Sequence, residues 1–265
     1  MAAPAPTLNR LRQTLARIDP SLAPRLAEGR RNLTLDAPID HALGGGLAAG
    51  ALHEIAPTAP VNLGAASGFA VALAVRASGD HRHVLWVATD HAVGEGGGPY
   101  GPGLDLFGLA SARLLVLRVP RPVDVLWAME EGLRCRALAC VIAELTGDGA
   151  VAGLTATRRL SLAAREGISA QNSGFGLLLR HRASPAPSAA ATGWRIAASP
   201  SRPDQFGGLG TARFDLTLSK NRRGPSGRWI VDWDHHERAF HAAVPVGVAQ
   251  EALDRPDRAP LVRTG

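Results

Sequence analysis

The sequence has little of what redox, metal or membrane chemistry requires. Its 2 cysteines, Cys135 and Cys140, are five positions apart, form no CxxC pair and meet no matching histidine set, so neither a disulfide framework nor a cysteine zinc site is indicated. No apolar run approaches a bilayer's thickness: Phe69 to Val75 and Ala137 to Ala143 are far too short, and the opening MAAPAPTLNRLRQ has no apolar stretch after a basic start. A reduced, cytoplasmic setting without membrane contact is expected. Isoleucine, tyrosine and phenylalanine are scarce beside alanine, leucine, arginine and glycine, a bias that says little about mechanism. There is no repeat at a fixed period, which excludes a solenoid.

What is present suffices for one large domain: 265 residues, of which 46% are hydrophobic. The formal charge is +6, with 29 lysines and arginines, nearly all arginine. Such an excess suits a polyanionic partner such as DNA. The basic residues are dispersed, however, as on a generally basic surface.

Leu8, Leu11, Leu15 and Ile18 fall at helical spacing, predicting an amphipathic helix over residues 7–18 that ends at Asp19-Pro20. From Ile39 onward, strand-like and helix-like stretches alternate: Ala51–Ile55, Gly68–Ala77, Val84–Ala88, Leu104–Leu109, Arg113–Arg118, Val123–Arg134 and Ala137–Leu145. This alternation is the pattern of a parallel sheet with crossover helices. The runs around Val84, Leu114–Leu117 and Leu138–Ala143 are continuous, as expected for strands buried on both faces. A helix at Leu154–Arg165 and a buried strand at Phe175–Leu179 follow, and then Ala183–Gly193 reads as a Pro/Ala/Ser loop. Phe214, Leu216 and Leu218 alternate, as do Trp229, Val231 and Trp233, with turn residues between them, predicting a β-hairpin with a basic tip at Lys220, Arg222 and Arg223. The expected organisation is an N-terminal helical extension at 1–26, a core domain at 27–243 and a loose tail at 244–265.

Candidate metal ligands fail on geometry. His235-His236-Glu237 places its adjacent histidines on opposite faces of a strand, and neither it nor His81-Arg82-His83 has a third ligand at a familiar spacing. His53-Glu54 begins like HExxH, but Pro57 stands where the second histidine belongs. No metal is expected.

A more telling segment is Gly64-Ala65-Ala66-Ser67-Gly68-Phe69-Ala70. In a P-loop NTPase a strand runs into a glycine-rich turn whose backbone N–H groups surround the phosphates, while a lysine meets the β and γ oxygens and a hydroxyl binds magnesium. Here Phe69 holds the lysine position and Ala70 the hydroxyl position. The flanking LGGGLAAGALHEI resembles the lead-in to the phosphate loop of RecA-family recombinases, and VLWVATDHA resembles their second core strand. By that resemblance Asp90 matches the water-activating carboxylate and Glu144 the Walker-B aspartate. The plainer account of both is as polar groups that end parallel strands at the sheet's carboxyl edge. Lys220 and Arg222, within SKNRRGPSGRWIVDWD, match a hairpin that in RecA relatives reaches the neighbouring subunit's nucleotide, and Glu166–Gly174 matches a DNA-binding loop by location.

With extra residues, Pro57 to Leu63, ahead of the glycine turn, the ATRRLSLAAREG helix and the NRRGPSG hairpin, the chain resembles the ImuA family over roughly Ala27 to Asp234. That resemblance implies a RecA-like α/β core with helices on both faces of a mostly parallel sheet. It also implies partnership with an ImuB-type Y-family polymerase relative, an error-prone replicative-type polymerase and RecA in SOS mutagenesis and translesion synthesis. The leading expectation is a non-enzymatic adaptor with no cofactor, ATP included. The alternatives are a weak DNA-stimulated ATPase whose site is shared with a partner, and a SulA-like inhibitor of cell division.

Overall fold

The apolar runs of the sequence form the middle of a nine-stranded sheet among the described residues. The computed structural model describes residues 32–243, apart from 80, 148–149, 168–173, 202, 204–207 and 209. The helix expected at 7–18, the extension 1–26, the tail 244–265 and most of the segment 166–174 lie outside the described residues.

The strands are β1 (Leu52–Pro57), β2 (His83–Thr89), β3 (Leu114–Val119), β4 (Leu138–Leu145), β5 (Phe175–Arg180), β6 (Thr192–Ala198), β7 (Arg213–Asn221), β8 (Gly227–Asp234) and β9 (Ala239–Ala242). They lie in the order β3-β2-β4-β5-β1-β6-β7-β8-β9. Pairing is parallel from β3 through β6 and antiparallel from β6 through β9. The helices are α1 (Ala37–Ala42), α2 (Leu63–Ser78), α3 (Asp90–Gly96), α4 (Gly101–Phe107), α5 (Pro122–Arg134) and α6 (Leu154–Glu166).

Two cores form, one on each face. On one, α2 lies against the sheet, with Phe69, Leu73, Ile142, Leu177, Trp194 and Phe214 in a common cluster. On the other, α5 and α6 cover Leu52, Val141, Ala143 and Leu178. Ala66, Phe69 and every residue from Ala70 to Val75 in α2 are buried, and a helix that is apolar on all sides belongs in an interior. By length and composition the stretch Pro60–Ser78 could cross a bilayer; here it is the packed central helix. α5 opens with Pro122 and Asp124, and the latter pairs with Arg121 at 2.8 Å, which suits the positive end of a helix dipole.

A buried hydrogen-bond chain ties the two halves of the sheet together. His53 Nε2 lies 3.0 Å from the Ala48 carbonyl, which can only accept, so that nitrogen carries the proton and donates. His53 Nδ1, 2.8 Å from Thr192 Oγ1, therefore accepts from the hydroxyl, and the same hydroxyl oxygen accepts from Trp194 Nε1 at 2.9 Å. Gly44, Gly45 and Gly46 all have positive φ, a region that glycine enters without a Cβ clash. A Cβ on Gly46 would stand 2.7 Å from the Leu33 carbonyl oxygen, so the Leu33–Leu47 bridge needs glycine there.

Three expectations need correction. Leu114–Leu117 does not belong to a strand buried on both faces: β3 is the sheet edge, and Leu115, Val116 and Leu117 are exposed. Continuity of apolar residues signals a parallel strand but not its rank in the sheet. The loop predicted to run through Gly193 ends earlier, because Thr192–Ala198 is β6, whose ladder partners lie far away in sequence. The helix predicted from Gly68 opens five residues sooner, at Leu63.

Candidate functional site

That earlier opening alters the phosphate-loop geometry. In the strand–GxxxxGK[ST]–helix arrangement the lysine falls where the helix begins. Here β1 ends at Pro57, a short 3-10 turn spans Pro60–Asn62, and α2 begins at Leu63. Half-buried Leu63 and exposed Gly64 thus stand at the helix start. Gly64 and Gly68 are helical residues, and Phe69 and Ala70 point into the core. Residues 57–63 are the connection itself, not an insertion ahead of a turn. Phe69 packs 5.6 Å from Phe240, 5.7 Å from Trp194 and 6.0 Å from Phe214 between ring centroids. Gly68 is small because Phe107 lies over it: a Cβ there would meet Phe107 Cζ at 3.1 Å.

Above the carboxyl ends of the strands is a cavity of about 410 Å³, lined by Leu63, Gly64, Gly68, Trp86, Tyr100, Phe107 and Glu144 among others. No lysine or arginine is among the described residues that line it. Glu144, in β4, has both carboxylate oxygens engaged. Oε1 lies 2.6 Å from His181 Nε2, and Oε2 accepts from Trp86 Nε1 at 2.8 Å. Asp90 opens α3 at the surface and pairs with Arg118 at 3.0 Å. It is not among the residues lining that cavity.

The basic hairpin tip divides between two other cavities. Lys220 donates from Nζ to the Ser188 carbonyl at 2.6 Å and lines a cavity of about 290 Å³ with Glu54, Arg180 and Arg195. Arg222 and Arg223 line a second, of about 350 Å³, with Arg165 and the chain from Ala48 to Leu52. Arg222 also reaches Ser188 O at 3.4 Å, and Arg223 Nη1 donates to Asn32 Oδ1 at 3.3 Å. Sequence reasoning missed Glu54, Arg180 and Arg195. The available signal was an arginine closing the apolar run Phe175–Leu179, where a buried charge demands a partner.

Asp234, Glu237 and His241 bring ligand-type atoms within 4.8 Å of one another at the β8–β9 turn, a grouping not visible from the adjacent histidines. Each is engaged locally. Asp234 Oδ1 accepts from the backbone N–H groups of His236 and Glu237, which holds its carboxyl below the usual range, and Glu237 pairs with His241 at 3.0 Å.

The parallel strands in this order, with helices on both faces and a cavity at their carboxyl edge, define a RecA-like fold. The chain is similar to the crystal structure of the RadB recombinase, with a TM-score of 0.50 and 15% identity, covering 79% of this chain and 98% of that one. No family model matches the chain. Protein ImuA of Caulobacter vibrioides (strain NA1000 / CB15N) is 31% identical over 226 residues, spanning 80% of this chain and 85% of the relative. Protein ImuA of strain ATCC 19089 / CIP 103742 / CB 15 matches to the same extent. The chain belongs to the ImuA family.

Proposed function

We propose that this chain is a non-catalytic RecA-like adaptor in bacterial DNA-damage-induced mutagenesis. It joins an ImuB-type polymerase relative and an error-prone replicative-type polymerase to RecA and DNA in the cytoplasm during translesion synthesis. The observation that carries this reading is the character of the cavity where a nucleotide's phosphates would sit. Its described walls are mostly apolar, and its carboxylate, Glu144, already has partners on both oxygens. Phosphoryl transfer is driven by positioning and by cationic stabilisation of phosphate charge, and these walls offer neither lysine nor arginine. ATP is accordingly neither held nor turned over.

What such a chain offers instead is surface. The edge strand β3 exposes Leu115, Val116 and Leu117, and Val123 and Trp127 of α5 are also exposed. An apolar edge strand is the element to which another chain adds most readily.

The test is equilibrium dialysis of labelled ATP with magnesium, run beside co-purification with the ImuB-type partner and RecA. We expect no saturable ATP binding in the micromolar range, and partner capture that is abolished in Val116→Asp. Micromolar ATP binding abolished by Asp90→Ala or Glu144→Ala would overturn the adaptor reading in favour of a shared-site ATPase. Cell filamentation on expression without any polymerase partner would overturn it in favour of a division inhibitor.

A further inference from the structure

The cavity of about 290 Å³ beside Lys220 is unlike the apolar one. It lies on the sheet face that carries α5 and α6: Glu54 is two residues on from Leu52 in β1, and Arg180 two on from Leu178 in β5, both of the α5/α6 core. The Arg180 side chain is only 5% exposed. It donates from Nη2 to Glu54 Oε1 and to the Ala152 carbonyl, both at 2.8 Å, and from Nε to Glu54 Oε1 at 3.3 Å. Its Nη1, however, is buried without a hydrogen-bond partner. A guanidinium presents five N–H donors in a rigid fork and accepts nothing, so such an atom calls for an acceptor from outside the chain.

A second guanidinium in the same cavity belongs to Arg195, half-buried on β6, whose side chain makes no hydrogen bond to a described residue. Its burial disfavours the charged form, Glu54 favours it, and neighbouring Arg180 opposes it. Lys220 is likewise penalised by burial, supported by Glu54 and opposed by neighbouring Arg222. Among the described residues three cations thus share one carboxylate, an excess of two positive charges at the site.

We infer that the Glu54–Arg180–Arg195–Lys220 cavity binds a phosphate group. The site's charge excess matches a phosphate dianion, and guanidinium forks match its oxygens in spacing and plane. As the cavity stands, Nη1 of Arg180 is closed to solvent, and Lys220 is held by the Ser188 carbonyl. A bound phosphate displaces that carbonyl from Lys220 and moves the Ser184–Ser188 wall outward. This site is separate from the nucleotide position at the start of α2 and does not depend on the adaptor reading.

The experiment is calorimetric titration of the full chain with inorganic phosphate, with chloride at matched ionic strength as the baseline. Acetate and adenosine monophosphate serve as comparison ligands. Saturable phosphate binding is expected, with acetate at least about tenfold weaker. Arg195→Gln removes no hydrogen bond seen in the structure and should lower phosphate affinity by about tenfold or more, the worth of a charge-assisted pair. Glu54→Gln should raise it, whereas Arg165→Ala, in the other cavity, should leave it unchanged. If circular dichroism shows Arg195→Gln unfolded, Lys220→Met is read by the same tenfold criterion. Adenosine monophosphate tighter than phosphate identifies the source as a nucleotide; equal affinity identifies it as free phosphate. No saturable binding, acetate as tight as phosphate, undiminished binding in the folded variant, or loss of binding in Arg165→Ala each overturns the inference.

Discussion

His181 Nε2 and Glu144 Oε1 lie 2.6 Å apart across the carboxyl edge of the sheet, with side chains 13% and 6% exposed. Trp86 Nε1 fills the second oxygen of the same carboxylate. The residue that aligns with a magnesium ligand therefore works as a junction joining β2, β4 and the segment after β5. His181→Ala should lower stability by about 1.5–3 kcal/mol, the cost of losing a hydrogen bond to a charged group, measured by urea unfolding. A cost below the experimental scatter would mean that the carboxylate is free for other work.

Restoring the phosphate-loop lysine distinguishes the two alignments of that loop. Phe69→Lys places an ammonium among Trp194, Phe214 and Phe240 and should cost at least the roughly 3–5 kcal/mol of a Phe→Ala deletion, with no gain in ATP binding. Leu63→Lys, at the half-buried helix start, should be tolerated far better. Comparable unfolding midpoints for the two variants would contradict the placement of α2.

Burial pulls the His53 imidazole down from its ordinary 6.5 to about 4. Protonation would also leave the Thr192 hydroxyl facing two donors, Trp194 Nε1 and the new Nδ1–H. Below 6.5 the unfolded chain takes up a proton that the folded chain refuses until about 4. This contribution to stability is complete above the unfolded value and is lost as the pH falls, at about 1.4 kcal/mol per pH unit for one proton. Urea unfolding between those limits should show that slope in the native chain and a shallower one in His53→Gln; equal slopes would rule out the assignment.

DNA contact should rest on Arg222 and Arg223, whose hydrogen bonds to Ser188 and Asn32 are long at 3.4 and 3.3 Å, and not on Lys220, held by the Ser188 carbonyl at 2.6 Å. In fluorescence titrations with an oligonucleotide, Arg222→Ala with Arg223→Ala should reduce the logarithmic salt slope by roughly 0.7–0.9 for each phosphate the side chains no longer neutralise. Lys220→Ala should leave it unchanged. The reverse pattern would assign DNA binding to the lysine.

The parallel core was readable because continuous apolar runs have few other uses. β4 and β5 lie within a residue of where their sequences put them, as do α5 and α6. β6 was not readable, because Thr192-Gly193-Trp194-Arg195 has neither apolar continuity nor alternation and is ordered by the ladders on either side. The phosphate loop misled for a related reason. Glycine usually signals a turn, yet in α2 it serves as a small residue beneath Phe107, which only tertiary packing reveals. Charge was harder still: Arg180 closing an apolar run signals a buried charge in need of a partner, but nothing in the sequence names Glu54, Arg195 and Lys220 as its neighbours.

The hydrogen bond from Thr192 to His53 spans 139 residues of chain, and this distance sets an order of events during synthesis. β1 is among the first strands to leave the ribosome, but both of its neighbours, β5 and β6, come from the second half of the sequence. Until then β1 and the largely apolar α2 behind it have no sheet to join. Closing so long a loop before any reward makes folding slow, and it leaves apolar surface uncovered while translation continues. The nascent chain is thus a natural client for chaperones, and the yield of folded protein should depend on them more than its finished stability does.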